Sequence, residues 1–265
     1  MLRFFQLVLL CVFCITNFVY CEVLDIQSTS EILPYITEDS LVVFDIGETL
    51  LTTKQSVGDD YWLCDSLKRY QEEGLSFEEA RAKALPEYMK LQNMSQVKAV
   101  ESLTSALVHK LQCRGIKVIG LTSRRAELAY TTLRQLRSIG IDLDRNPVKI
   151  KNLNISSYLP VNYVEGVIFA QNNHKGEILF DMVKFSNYPL KKVIFIDDKM
   201  KYIKQVEEMC RAHDIEYVGF RYGANDSAHE AYSSEIAQIQ RKYFDEILSN
   251  EAAEKILLAG RQAND

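Results

Sequence analysis

Five short apolar runs constrain this chain more than any other feature: LVVFDI (41–46), KVIGLT (117–122), GVIFAQ (166–171), KVIFID (192–197) and EYVGFR (216–221). Each is continuous and rich in β-branched and aromatic residues, the pattern of strands buried on both faces of a parallel sheet. Helical patterns separate them at 125–140, 175–185 and 199–214. Strand and helix in alternation predict an α/β, Rossmann-like layered fold with right-handed crossovers.

Three stretches depart from that repeat. Residues 59–114 are helical in pattern with no convincing strand, and are far longer than an ordinary βα connection. They read as a helical insertion dividing a core made of 22–58 and 115–222. Residues 141–163 carry Pro147 and Pro160 and read as loop with a short strand or two. The polar, helical tail 223–265 is expected to lay its Ile/Leu/Phe face on the outside of the sheet.

Composition excludes two classes. With 47% hydrophobic and 25% charged residues the chain is not of a disordered type, and a net charge of −5 without a long basic run argues against a nucleic-acid partner. The first segment has Arg3, an apolar stretch from Phe4 to Tyr20, and then an acidic continuation, so residues 1–21 read as a secretory signal peptide. Export to the periplasm or medium is the expectation. The alternative is an uncleaved membrane anchor through residues 4–20, the one case in which the protein would contact a membrane. Cys64, Cys113 and Cys210 remain after that segment, an odd and widely spaced set that implies no disulfide framework and reads as buried small hydrophobes. The four histidines lack metal-ligand spacing.

Chemistry is concentrated where the runs end. Asp45 follows LVVF, Thr122 and Ser123 follow VIGL, Lys175 opens a helix after FAQNNH, and Asp197 and Asp198 follow VIFI. The carboxyl ends of parallel strands share one edge, where ligands bind. Carboxylates, a hydroxyl and an ammonium together suit a hard divalent cation and a phosphate. Asp45 is the candidate nucleophile for an aspartyl-phosphate. Mg²⁺ on Asp45, the Gly47 carbonyl and Asp197 would screen the approach of two anions, with Lys175 and Thr122 on the phosphoryl oxygens. Thr122 and Ser123 also read as caps for a helix starting near Arg125. Arg124 reads either as a substrate clamp or as a solvated helix residue. Asp198 is open between metal ligand and partner of Lys175.

In this order and spacing the motifs resemble those of the haloacid dehalogenase (HAD) superfamily. Asp45-Ile46-Gly47-Glu48-Thr49 is similar to its first motif, Asp-x-Asp-x-Thr; Thr122, Lys175 and Asp197-Asp198 are similar to its second, third and fourth. The resemblance, over about residues 40–222, implies a Rossmannoid core, Mg²⁺ dependence and phosphohydrolase chemistry on a small phosphorylated molecule. It also implies that the insertion at 59–114 is a cap, with Tyr61 and Trp62 covering the site. One residue departs from the pattern: the second aspartate, the family's general acid/base, is Gly47 here. Glu48 is adjacent, but one residue along a turn its side chain should point elsewhere. Two functions follow, an exported Mg²⁺-dependent phosphohydrolase of small phosphomonoesters and a catalytically impaired pseudoenzyme that binds a ligand or partner.

Overall fold

A computed structural model of the protein describes residues 20–150, 159–243 and 248–262. Most of the expected leader and anchor segment (1–21 and 4–20) lies outside the described residues, as do 151–158 of the expected loop and 244–247 of the C-terminal tail. Among the described residues no helix is long and apolar enough to cross a membrane.

The strands are β1 (Cys21–Ile26), β2 (Ser40–Phe44), β3 (Leu51–Thr53), β4 (Val97–Ala99), β5 (Lys117–Thr122), β6 (Asn162–Val164), β7 (Val167–Phe169), β8 (Lys192–Asp197) and β9 (Glu216–Tyr222). The helices are α1 (Asp60–Glu72), α2 (Phe77–Met94), α3 (Thr104–Cys113), α4 (Ala129–Ser138), α5 (Lys175–Ser186), α6 (Met200–Ala212), α7 (Asp226–Glu230), α8 (Ser234–Lys242) and α9 (Asn250–Gln262). Seven strands form one sheet in the order β1-β9-β8-β2-β5-β7-β6, parallel throughout except for β6 against β7. This is an α/β fold with a mostly parallel central sheet flanked by helices.

Both faces of the sheet are covered, which is why the central strands read as unbroken apolar runs. Leu41 and Val43 of β2 join Ile119, Phe195 and the α5 and α6 residues Leu179 and Val206 on one side. Val42 and Phe44 join Val118, Ile194 and the α3 and α4 residues Leu111 and Leu136 on the other. Of the two outer strands, β1 is missing from the sequence reading, whereas β6 falls at the end of the stretch read as loop with a short strand or two. β1 is mostly half-exposed, and β6 has only three residues.

The segment 59–114 is divided rather than uniform. α1 and α2 pair into a hairpin, β4 returns to pair with β3 in an antiparallel ribbon, and α3 goes back onto the sheet. Caps delimit the hairpin: the Asp59 side chain accepts from the Trp62 N–H at 2.6 Å, and Ser76 and Glu79 form a reciprocal capping box. The C-terminal tail departs from expectation. α8 packs on the hairpin instead of the sheet, its Ala237 buried with Val57, Trp62, Leu91 and Leu128. Buried Gln240 ties it down, accepting from the Val57 N–H (2.9 Å) and donating to the Leu248 carbonyl (2.9 Å) and Asn250 Oδ1 (2.8 Å).

α5 and α6 approach so closely at Gly176 that a Cβ there would stand 2.2 Å from the Gln205 carbonyl oxygen. Gly176→Ala must push the helices apart and should cost roughly 1–3 kcal/mol, as overpacking does. Urea unfolding measures this; a midpoint equal to wild type would show the approach to be looser than described.

Candidate functional site

β2 stops at Phe44, but the next residue stays in register: the Asp45 N–H donates to the Ile196 carbonyl at 2.9 Å. The chain then reverses. The N–H groups of Leu50 and Leu51 both donate to the Ile46 carbonyl (3.0 and 3.1 Å), with Glu48 in the left-handed region at φ 60°. The turn launches the ribbon that carries the hairpin and leaves Asp45 at the sheet edge. Phe44 pairs with Ile196 on the adjacent β8, so Asp45 and Asp197 are neighbours.

Lys175 arrives from two strands away. It is the first residue of α5, after His174 has capped the helix by accepting from the Glu177 N–H. Its Nζ lies 2.5 Å from Asp45 Oδ1 and 2.7 Å from Asp197 Oδ2, and 4.2 Å over the Tyr202 ring. Lys175 and Asp197 are wholly buried. The second oxygen of Asp197 accepts from the Lys199 N–H at 2.8 Å. So Asp197, not Asp198, is the acid that partners Lys175. Neither Lys175 nor Asp197 reaches the cavity wall; the ammonium expected on phosphoryl oxygens lies beneath the carboxylates.

Asp45, Asp197 and Asp198 each place a carboxylate oxygen within 4.8 Å of the others. Burial pushes the Asp197 carboxyl well above the usual range, Lys175 pulls it down, and Asp45 and Asp198 push it up again. Burial, reinforced by the charge of Asp45, raises Asp198 to about 7. Burial disfavours the Lys175 ammonium, but the two aspartates more than offset that and hold it protonated. With both Asp197 oxygens engaged by Lys175 and the Lys199 N–H, Asp45 and Asp198 are the acids of the cluster that suit a hard cation.

The cavity above these acids has a volume of about 180 Å³. Asp45, Gly47, Thr122, Ser123, Arg124, Asn172 and Lys199 line its floor and sides, and Asp60, Leu63, Cys64, Leu85 and Tyr88 of the hairpin line its roof. Tyr61 and Trp62 are not in that wall. Residues 60, 63 and 64 share one face of α1, because three- and four-residue steps return to the same side of a helix. Trp62 lies on another face and is buried against Leu91 and Ala237. Cys64 and Cys113 are exposed and only Cys210 is buried, against the expectation of three buried thiols.

Thr122 Oγ1 accepts from the Arg124 N–H at 3.2 Å and caps no helix; α4 starts later, without a side-chain cap. The Ser123 hydroxyl is buried with no hydrogen-bond partner among the described residues. Arg124 is not a solvated helix residue: its Nη1 donates to Gln135 Oε1 (2.7 Å) and Thr132 Oγ1 (3.2 Å). Asn172 and the preceding Gln171 are both left-handed, at φ 62° and 49°.

Sequence reasoning missed Asp60, Tyr88, Asn172 and Lys199. Lys199 had a legible signal, since it directly follows the paired acids. Asp60 accepts from the Tyr88 hydroxyl at 2.9 Å and from Lys199 Nζ at 3.2 Å. Burial works against its charged form, but Lys199 and Arg124 outweigh that and hold its carboxyl below the ordinary value. Glu48 faces away, bonded to Thr52 and Asn225, and burial with the Asp60 charge raises it to about 7.

Burial also raises Asp59 from 3.8 to about 8, against its bond from the Trp62 N–H. The folded state therefore holds more protons than the unfolded chain between those values, and stability is lost as pH rises through that window. In metal-free buffer the melting temperature should fall between pH 5 and pH 8. Asp59→Asn, which retains a capping side chain, should flatten the decline; an unchanged slope would remove Asp59 as its source.

The chain matches, over residues 25–254, the model of a family described as "Protein of unknown function (DUF2608)". A "Putative outer membrane protein" of Chlamydia pneumoniae is 27% identical over 240 residues, 90% of each chain. One of Chlamydia trachomatis with the same description is 27% identical over 237 residues, 88% of each chain. An "Uncharacterized protein" of Rickettsia prowazekii is 25% identical over 238 residues, 83% of this chain and 82% of its own. Among solved structures, a "putative beta-phosphoglucomutase" from Thermotoga maritima has a TM-score of 0.37 at 13% identity, covering 72% of this chain and 99% of that one. With the family model spanning most of its length, the chain belongs to the DUF2608 family.

Proposed function

We propose that this protein is an exported, Mg²⁺-dependent hydrolase of small phosphomonoesters that works through Asp45. The observation that carries the reading is the buried Lys175 bridging Asp45 and Asp197 beside Asp198, beneath a cavity at the carboxyl ends of the strands. The HAD resemblance of the four motifs supports it. The descriptions of the chlamydial relatives support an envelope or exported location.

In this reading an Asp45 oxygen attacks phosphorus, the bond to the leaving oxygen breaks, and an aspartyl-phosphate forms that water then hydrolyses. Lys175 fixes the Asp45 carboxylate and offsets the charge of its neighbours. Thr122, Ser123 and Arg124 meet the phosphoryl oxygens, where the unpartnered Ser123 hydroxyl has a bond to give. Asp45, the Gly47 carbonyl and Asp198 would hold Mg²⁺, which neutralises phosphoryl charge when bound. Asp198 replaces Asp197 in that set because both Asp197 oxygens are already engaged by Lys175 and the Lys199 N–H.

One observation favours the alternative of a ligand- or partner-binding pseudoenzyme: Gly47 brings no proton-transfer group to the first turn. Incubation with p-nitrophenyl phosphate and Mg²⁺ decides between them. Wild type should release p-nitrophenolate and Asp45→Asn should not; equal rates would leave the binding reading.

A further inference from the structure

We infer that Asp60, carried by the helical hairpin, is the base that activates water in the second half of the reaction, in the space that Gly47 leaves without a side chain. This rests on the hydrolase reading above. An acyl-phosphate on Asp45 needs a group to take a proton from attacking water, an effect worth about 10²–10⁴ in rate. The acids nearest Asp45 in sequence and in space do not serve. Glu48 is turned to Thr52 and Asn225, and Asp197 is sealed beneath the floor. Asp198 belongs to the cation set.

Asp60 has the required placement. Among the described residues, its chain neighbours apart, a Cβ on Gly47 would meet one atom within 4 Å, Asp60 Oδ2, at 3.9 Å. The carboxylate thus borders the volume that a longer side chain at position 47 would fill, and it does so from the cavity roof. Both of its oxygens are oriented, Oδ1 by the Tyr88 hydroxyl and Oδ2 by Lys199. The step balances: water oxygen bonds phosphorus, its proton passes to Asp60, the phosphorus–Asp45 bond breaks, and Asp45 recovers its carboxylate as inorganic phosphate leaves. Asp60 then loses the proton to solvent. Because Asp60 opens α1, the chemistry is complete only with the hairpin seated on the core, where Lys199 of the strand edge meets it.

The test compares wild type, Asp45→Asn, Asp60→Asn and the double variant Gly47→Asp/Asp60→Asn with p-nitrophenyl phosphate and Mg²⁺, following steady turnover, the pre-steady-state burst and acid-stable phosphate on the protein. Asp60→Asn should slow turnover by about 10²-fold or more while showing a stoichiometric burst and trapped phosphate on Asp45. Adding Gly47→Asp should restore at least part of the turnover, which a variant damaged in folding would not allow. Wild-type turnover with Asp60→Asn unaffected, or slowed without trapped phosphate and without rescue, overturns the role of Asp60 and leaves the hydrolase reading standing. Wild type indistinguishable from Asp45→Asn overturns both.

Discussion

Lys175→Met is expected to destabilise the fold by about 3–5 kcal/mol, the cost of breaking a buried ion pair by removing one partner. Lys175 is wholly enclosed, and its ammonium is the group that bridges Asp45 and Asp197. Methionine fills similar volume but leaves two carboxylates facing each other in a dry site. At this chain length the melting temperature should drop by on the order of 10 °C. Lys175→Met/Asp197→Asn, which also removes one of the stranded acids, should be more stable than Lys175→Met alone. Mg²⁺ should recover stability in the single variant more than in wild type. Thermal unfolding with and without the metal measures all three, and a Lys175→Met protein as stable as wild type would show that the bridge is not needed to hold the acids together.

Asp45→Asn should remove at least about 10³ of kcat/KM toward p-nitrophenyl phosphate, because a group that forms the covalent bond has no substitute. The amide is nearly isosteric and its oxygen still accepts from Lys175, so the fold should be retained and the melting temperature should stay near that of wild type. The contrast between the two variants separates roles: Lys175 supports stability as well as chemistry, Asp45 chemistry alone. Activity surviving in Asp45→Asn would move the nucleophile elsewhere.

The central sheet was legible because burial on both faces is written into local composition. LVVF, KVIGLT and KVIFID need no knowledge of their neighbours to read as interior strands, and β5 and β8 have the ends the runs predict. The meeting of Asp45, Lys175 and Asp197 was legible at one remove, since parallel strands bring their carboxyl ends to one edge. Strand β1 was not legible, being mostly half-exposed, and β6 was legible only as one of the short strands expected at the end of the 141–163 stretch.

Tertiary structure alone decided three things. It decided which of the paired acids holds Lys175, because Asp197 and Asp198 are chemically equal and only the pleat of β8 turns one inward. It decided that α1 shows Asp60, Leu63 and Cys64 to the cavity and not Tyr61 and Trp62, because a helix with apolar residues on more than one side can be rotated to bury either. And it seated α8 on the hairpin, because an amphipathic face fits a sheet or another helix equally well. Periodicity along the chain is a local quantity, whereas the rotation of a helix and the choice of its partner follow from the summed packing of segments as remote as Trp62 and Ala237.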